Sequence, residues 1–236
     1  VQDISRLYGG RPPSPPTKAY GDFISWEQEL LQSDALKRHQ AYWLERFSDD
    51  IPVLNLPTDY PRPLERSPMG NILYSHLSEN KTDALKRLAG ELGVTLPMML
   101  LAIYNLLLHR LTGQEDIIVG MPISGRPAGF ENVVGMFANT LALRNQPKRN
   151  QRFSHFLDEV KTNFLKDYDH QAYPFELLVD NLNIERDMSR NALFDAMFTY
   201  EKADARVLRI KDLNFSPYEV KVDTAIFDFD LEAIEQ

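Results

Sequence analysis

The sequence predicts an α/β sandwich built on a mixed sheet, and three observations predict it. Helix-period segments and short β-branched runs alternate along most of the chain. A strand-rich stretch closes it, and residues 96–108 are apolar nearly all round, as a central helix is. Composition agrees: 236 residues, 43% hydrophobic and 25% charged, allow one large domain or two small ones.

Residues 1–8 carry helical spacing at Ile4, Leu7 and Tyr8 and read as the tail of a helix begun upstream. Gly9 and Gly10 end it, and RPPSPPTK is a stiff, polyproline-like connector. Residues 1–19 are therefore expected to join two lobes, and 20–236 to form one of them. Asp22 is placed to cap a helix whose apolar residues are Phe23, Trp26, Leu30 and Leu31; Trp26 reads as core. After a break at Ser33-Asp34 the pattern continues with Leu36, Tyr42, Trp43, Leu44 and Phe47. Pro52, Pro57, Pro61 and Pro63 impose an extended crossing without helix. Residues 71–78 alternate (Ile72, Tyr74, His76 against Leu73, Ser75, Leu77) and predict a strand. Ser78 or Asn80 starts the next helix and Gly93 stops it; Thr95 caps the apolar helix that runs to Leu111, with Pro97 tolerated in its first turn.

The chain is organised around residues 116–144. Ile117, Ile118 and Val119 suit a strand covered on both faces, and a second strand is expected from near Phe137. Pro122 and Pro127 bracket a stretch that should not be regular sheet, with Gly125 free to take unusual backbone angles. Ser124, Arg126 and Asn139 form a polar trio on or beside these strands, an arrangement that serves binding sites and plain strand ends equally well.

Beyond it, 153–170 is amphipathic, with Phe153, Phe156, Leu157, Val160, Phe164, Leu165 and Tyr168 on one side. Pro174 opens a short helix buried through Phe175, Leu177, Leu178 and Leu182, and residues 194–200 form a strand. Further strands are expected in 206–220 and 224–234; Asp228 and Asp230 then share an exposed strand face. The net charge of -8 disfavours a nucleic-acid surface, and the absence of cysteine removes disulfides, thiolate catalysis and Cys-ligated zinc. The five histidines show no metal-ligand spacing, no phosphate-cradling glycine loop is present, and Ser124 lacks the pattern of a nucleophile. No secretory signal pattern opens the chain and its longest apolar run is too short to cross a bilayer, so a cytoplasmic setting is expected. Spacing and composition alone name no reaction.

Four further motifs, in order, carry a resemblance. Tyr20-Gly21-Asp22-Phe23-Ile24-Ser25-Trp26 is similar to Y-x-D-[FY]-A-x-W, and 134–144 (VGMFANTLALR) to [IV]-G-x-F-V-N-T-L-x-x-R. HQAYPFE at 170–176 is similar to H-Q-D-Y-P-F-E, and RDMSRNAL at 186–193 to R-D-x-S-R-N-P-L. Together they make the chain resemble the C-terminal half of a condensation domain from a nonribosomal peptide synthetase. Ile24, Ala138, Ala172 and Ala192 depart from the family pattern; Ala172 removes a carboxylate.

The resemblance implies one lobe of a two-lobe domain with the chloramphenicol acetyltransferase fold. It implies amide formation between carrier-protein-bound aminoacyl or peptidyl thioesters, in a channel between the lobes. The family's H-H-x-x-x-D-G motif, which supplies the catalytic histidine, is not in these 236 residues and is expected upstream, so the chain alone is expected to be inactive. Asn139 and Thr140, beside Gly135, are expected to line the channel and to hydrogen-bond a phosphopantetheine arm or a substrate carbonyl, with Ser124 and Arg126 on a loop nearby. Tyr20, Asp22, Trp26, Arg144, Gln171, Tyr173, Pro174, Phe175, Arg186, Asp187, Arg190 and Asn191 are expected to be architectural; Arg126 and Arg144 equally fit a salt bridge holding the strand pair. The implied partners are the N-terminal lobe, donor and acceptor carrier proteins and an adenylation domain. No cofactor is bound directly; the phosphopantetheine belongs to the carriers. Epimerisation and cyclisation domains share the fold, and a non-catalytic carrier-docking module is the reading from another class.

Overall fold

The central helix forms where both of its ends are signalled. Thr95 Oγ1 accepts the Met98 N–H at 3.4 Å, Pro97 sits in the first turn, and Gly113 closes the last at φ 72°, an angle that glycine takes without strain. The result is helix α5 (Leu96–Thr112) in a computed structural model that describes residues 2–13, 18–185, 187–202, 213, 218 and 222–236. Before it come α1 (Gln2–Tyr8), α2 (Tyr20–Leu31), α3 (Asp34–Arg46) and α4 (Glu79–Glu91); after it come β1 (Ile117–Ile123), β2 (Asn139–Asn145), α6 (Phe153–Asp169), α7 (Phe175–Leu182), β3 (Ala196–Lys202) and β4 (Phe229–Glu235).

Among the described residues the four strands form one mixed sheet in the order β2-β1-β3-β4. β1 and β2 pair antiparallel from Ile117↔Asn145 to Ile123↔Asn139, whereas β1–β3 and β3–β4 are parallel. α5 and α6 pack on each other and on the sheet. Residues 117–120 and 141–145 are buried at every position, so both faces of β1 and β2 are covered there. The edge strand β4 alternates between half-buried and exposed instead. Met99, Tyr104, Leu108, Val119, Leu143 and Phe198 are among the fully buried side chains, and the Tyr104 hydroxyl donates to the Phe229 carbonyl at 2.9 Å, tying α5 to β4.

Several expectations are corrected. Residues 71–78 form no strand: Met69 bridges Thr224 antiparallel, but the residues beyond have no paired neighbour among the described residues, and Leu73 is 92% exposed. Alternation supplies two faces, not the hydrogen-bonding neighbour that a strand requires. β1 continues through Pro122 to Ile123, close to its end where a missing donor costs least, and β2 begins at Asn139 rather than Phe137. Asp22 caps α2 from inside it: the helix starts at Tyr20, and from the third helical position the Asp22 carboxylate reaches back to accept the Ala19 N–H at 2.7 Å. α5 is not buried all round, since Ile103, Leu107 and Leu111 form an exposed stripe. On α6, Leu165 and Tyr168 are exposed and Asp167 is buried. Asp228 precedes β4 and pairs with Arg62, so it does not share a strand face with Asp230. The strands expected in 206–220 lie almost wholly outside the described residues.

No single helix among the described residues is long and apolar enough to cross a membrane.

Candidate functional site

The site grows from the first residue of β2. Asn139 Nδ2 donates to the Gln171 and Tyr173 carbonyls, each at 2.9 Å. Its Oδ1 accepts the Phe175 N–H at 3.1 Å and that of Thr140 at 2.8 Å. One amide thus binds three backbone groups of the turn 170–175, where Pro174 caps α7 and cannot itself donate. Both of Asn139's donors are engaged within the chain, so the expected hydrogen bond from this amide to a pantetheine arm has no free N–H to make it.

The same turn is gripped from α3. His39, Tyr42, Trp43 and Arg46 recur at helical spacing on one face of that helix. Trp43 Nε1 donates to the His170 carbonyl at 3.0 Å, and His39 Nδ1 lies 2.9 Å from His170 Nδ1. The His170 ring stacks on Tyr42 with centroids 4.0 Å apart, and the Tyr42 hydroxyl donates to Asp167 Oδ1 at 2.5 Å. Arg46 Nε stands 3.5 Å from the same carboxylate. Burial pushes the Asp167 carboxyl up to about 6, and burial followed by the Asp167 charge pushes the Tyr42 phenol far up. Burial also lowers both imidazoles below their ordinary value, helped for His39 by the charge of His170, and for both by Arg38. Sequence reasoning had set these histidines aside singly and missed Asp167. The available signal was the spacing of polar and aromatic side chains along one face of α3.

On the other side of Asn139, loop 124–138 is built on an apolar cluster of Phe23, Phe130, Val133 and Phe137, with Tyr20 packed against it. Arg126 forms no salt bridge among the described residues: it donates to the Phe130 and Val133 carbonyls at 2.8 and 2.6 Å and lies over the Phe137 ring at 3.9 Å. A methyl group at Gly135 would overlap the Tyr20 ring, whose hydroxyl donates to the Met136 carbonyl at 2.8 Å; this is why glycine stands there. Gly125 takes φ 55° with its α-carbon against the Phe137 carbonyl. Val134 and Met136 are exposed at the loop tip, as is Ser124, and Thr140 is half-buried. Trp26, expected in the core, is 38% exposed and stacks on Phe23 at the edge of this cluster.

Two arginines hold the far end. Arg144 forks onto Asp116, with Nη2 to Oδ2 at 2.6 Å and Nε to Oδ1 at 3.0 Å, and also donates to the Arg46 and Asp50 carbonyls. This is the expected strand-pair salt bridge. Arg190 donates to Asp195 at 2.5 Å and to the Leu54 carbonyl at 2.9 Å, with Asp187 3.9 Å away. Asn191 joins the same loop to the Ile226 carbonyl and to Arg66. Arg186 lies outside the described residues. The motif residues therefore fall into two places: Tyr20, Asp22, Trp26, Ser124, Arg126, Gly135, Asn139, Thr140, Gln171, Tyr173, Pro174 and Phe175 around the start of β2, and Arg144, Asp187, Arg190 and Asn191 at the other end of the sheet, where β2 ends and β3 starts.

Comparison with known proteins follows the same lines. The family model of the condensation domain matches residues 1–236. Tyrocidine synthase 3 of Brevibacillus parabrevis is 48% identical over 236 residues, which is 100% of this chain and 4% of that protein. The X-domain from teicoplanin biosynthesis superposes with a TM-score of 0.86 at 20% identity, covering 98% of this chain and 54% of that one. The first condensation domain of the calcium-dependent antibiotic synthetase superposes with a TM-score of 0.70 at 23% identity, over 89% of this chain and 45% of that one. The solved structures carry the fold, and the chain spans about half of each.

Proposed function

The chain belongs to the condensation-domain family, and from that premise we propose that it is one lobe of an amide-forming domain in a cytoplasmic peptide synthetase. The reaction joins two substrates carried on phosphopantetheine arms. The acceptor's amine nitrogen attacks the donor's thioester carbonyl, the C–S bond breaks, the donor arm leaves as a thiol, and the amine loses a proton. Alignment of the two arms contributes proximity, while a general base or oxyanion partner assists the proton and charge.

What these residues contribute is a rigid wall. The observation that carries this reading is the state of the motif side chains: Asn139, Arg126, Arg144 and Arg190 each make two or more hydrogen bonds within the chain. Such a set fixes a surface and leaves proton transfer to another lobe, consistent with the absence of H-H-x-x-x-D-G from these residues. The exposed Ser124 and the half-buried Thr140 retain hydroxyls suited to the amides of a pantetheine arm; Asn139 acts behind them by holding the turn. The apolar side chains left open on the extended crossing, Tyr60, Leu64, Leu73 and Tyr74, fit a surface covered by the other half of the domain.

The test supplies that half, with its H-H-x-x-x-D-G, fused or in trans, and follows amide formation between two loaded carrier proteins by intact mass. Product from both halves together, and from neither alone, is expected. A folded fused domain that binds carriers yet makes no product would overturn the reading in favour of a docking module. The X-domain from teicoplanin biosynthesis, solved in complex with OxyB, offers a fold-level parallel for that alternative.

A further inference from the structure

The contact between His39 and His170 sits where three elements meet, and its chemistry is restrictive. At 2.9 Å two Nδ1 atoms attract only if one ring presents an N–H and the other a lone pair; two lone pairs or two N–H groups repel. The contact can survive a first added proton, which goes to Nε2 of the donating ring. It cannot survive a second, because the accepting Nδ1 then carries a hydrogen.

We propose that the His39–His170 contact is a proton-sensitive latch: it ties the turn 170–175, and through it Asn139 at the start of β2, to α3, and it opens when both rings are imidazolium. Mechanical continuity supports this. His170 is the first residue of the turn, and the groups that Asn139 binds belong to Gln171, Tyr173 and Phe175 of the same turn. Opening the latch removes one tie between α3 and the turn and leaves the Trp43 bond to the His170 carbonyl and the Tyr42 stack on the ring, so the turn gains freedom and Asn139's bonds with it.

The charged and titratable neighbours set where this occurs. From α3, Arg38 repels a proton on either ring, and neutral Tyr42 covers one face of His170. From the end of α6, Asp169 favours a charged His170, while Asp167, held by Tyr42 and Arg46, itself takes up a proton at about 6, a step that the glutamine variants keep and the latch does not need. Tyr173, on the turn itself, stays neutral throughout the range concerned. Burial and Arg38 outweigh Asp169, so opening falls below the ordinary imidazole value of about 6.5.

The test is NMR of the whole chain between pH 7.5 and 4.5, reading the imidazole nitrogens together with the Asn139 side-chain amide. In the wild type, the Asn139 amide protons are expected to lose about tenfold in protection from exchange, relative to the intrinsic change, with the midpoint of the second imidazole protonation. In His39→Gln, which keeps a hydrogen-bonding group and removes the titration, Asn139 should be unresponsive over the same range; His170→Gln gives the same reading from the opposite side. If His39 and His170 titrate independently near 6.5 with Asn139 unmoved, or if the glutamine variants keep the transition, the latch does not exist. The readout is structural and independent of amide formation.

Discussion

A single amide, that of Asn139, satisfies two carbonyls and two N–H groups, and three of those four belong to one turn. Asn139→Ala would leave these groups without partners in a half-buried place, so we expect a loss of about 2–4 kcal/mol in urea unfolding. A cost below about 1 kcal/mol would mean that water replaces the amide. Asp167 makes a pH prediction. Its carboxyl is raised by burial to about 6 from an ordinary 3.8, so the folded state binds the proton more tightly than the unfolded chain. This group's contribution to stability is therefore fully present below the ordinary value and is lost as the pH rises through about 6. Wild type should lose stability relative to Asp167→Asn between pH 4 and 7, by on the order of 2 kcal/mol, read from paired unfolding curves. A constant difference between the two proteins would show Asp167 to be charged throughout.

At the scale of elements, the helices were legible because their ends carry local chemistry. Ser33 caps α3 by accepting the Leu36 N–H at 3.3 Å, and the expected break falls there. The segment 71–78 failed for a reason that no local pattern contains: a strand is a relation between two segments. With Tyr74 82% exposed next to Leu73, and no strand partner among the described residues, it presents an exposed apolar stretch, the kind of surface that recruits another chain. We therefore expect the chain to self-associate through this stretch. Leu73→Lys combined with Tyr74→Lys should shift sedimentation towards monomer while leaving the unfolding midpoint unchanged, because neither side chain packs on the core. A monodisperse wild type at all concentrations would refute the assignment.

For the whole molecule, the motifs turn out to be mainly devices of assembly. Those around Asn139 fasten α2, α3, α7 and loop 124–138 to one end of the sheet; Arg144 and Arg190 fasten the crossing 50–55 to the other. A wall so fixed suits the proposed role, in which reacting groups would arrive on flexible arms and precision would come from the channel. Much of this was open to reading from the chain alone: helix ends, the β1–β2 pair, the Arg144 salt bridge and the family itself rest on short-range chemistry or on side chains in a fixed order. The union of His39 with His170, 131 residues apart, was not, nor was the burial of Asp167, the engagement of Asn139's amide, or the exposure of Trp26. Those depend on which surfaces meet when helices and strands pack. Local sequence sets the elements because their hydrogen bonds close within a few residues, whereas desolvation and long-range pairing arise only once the elements are brought together.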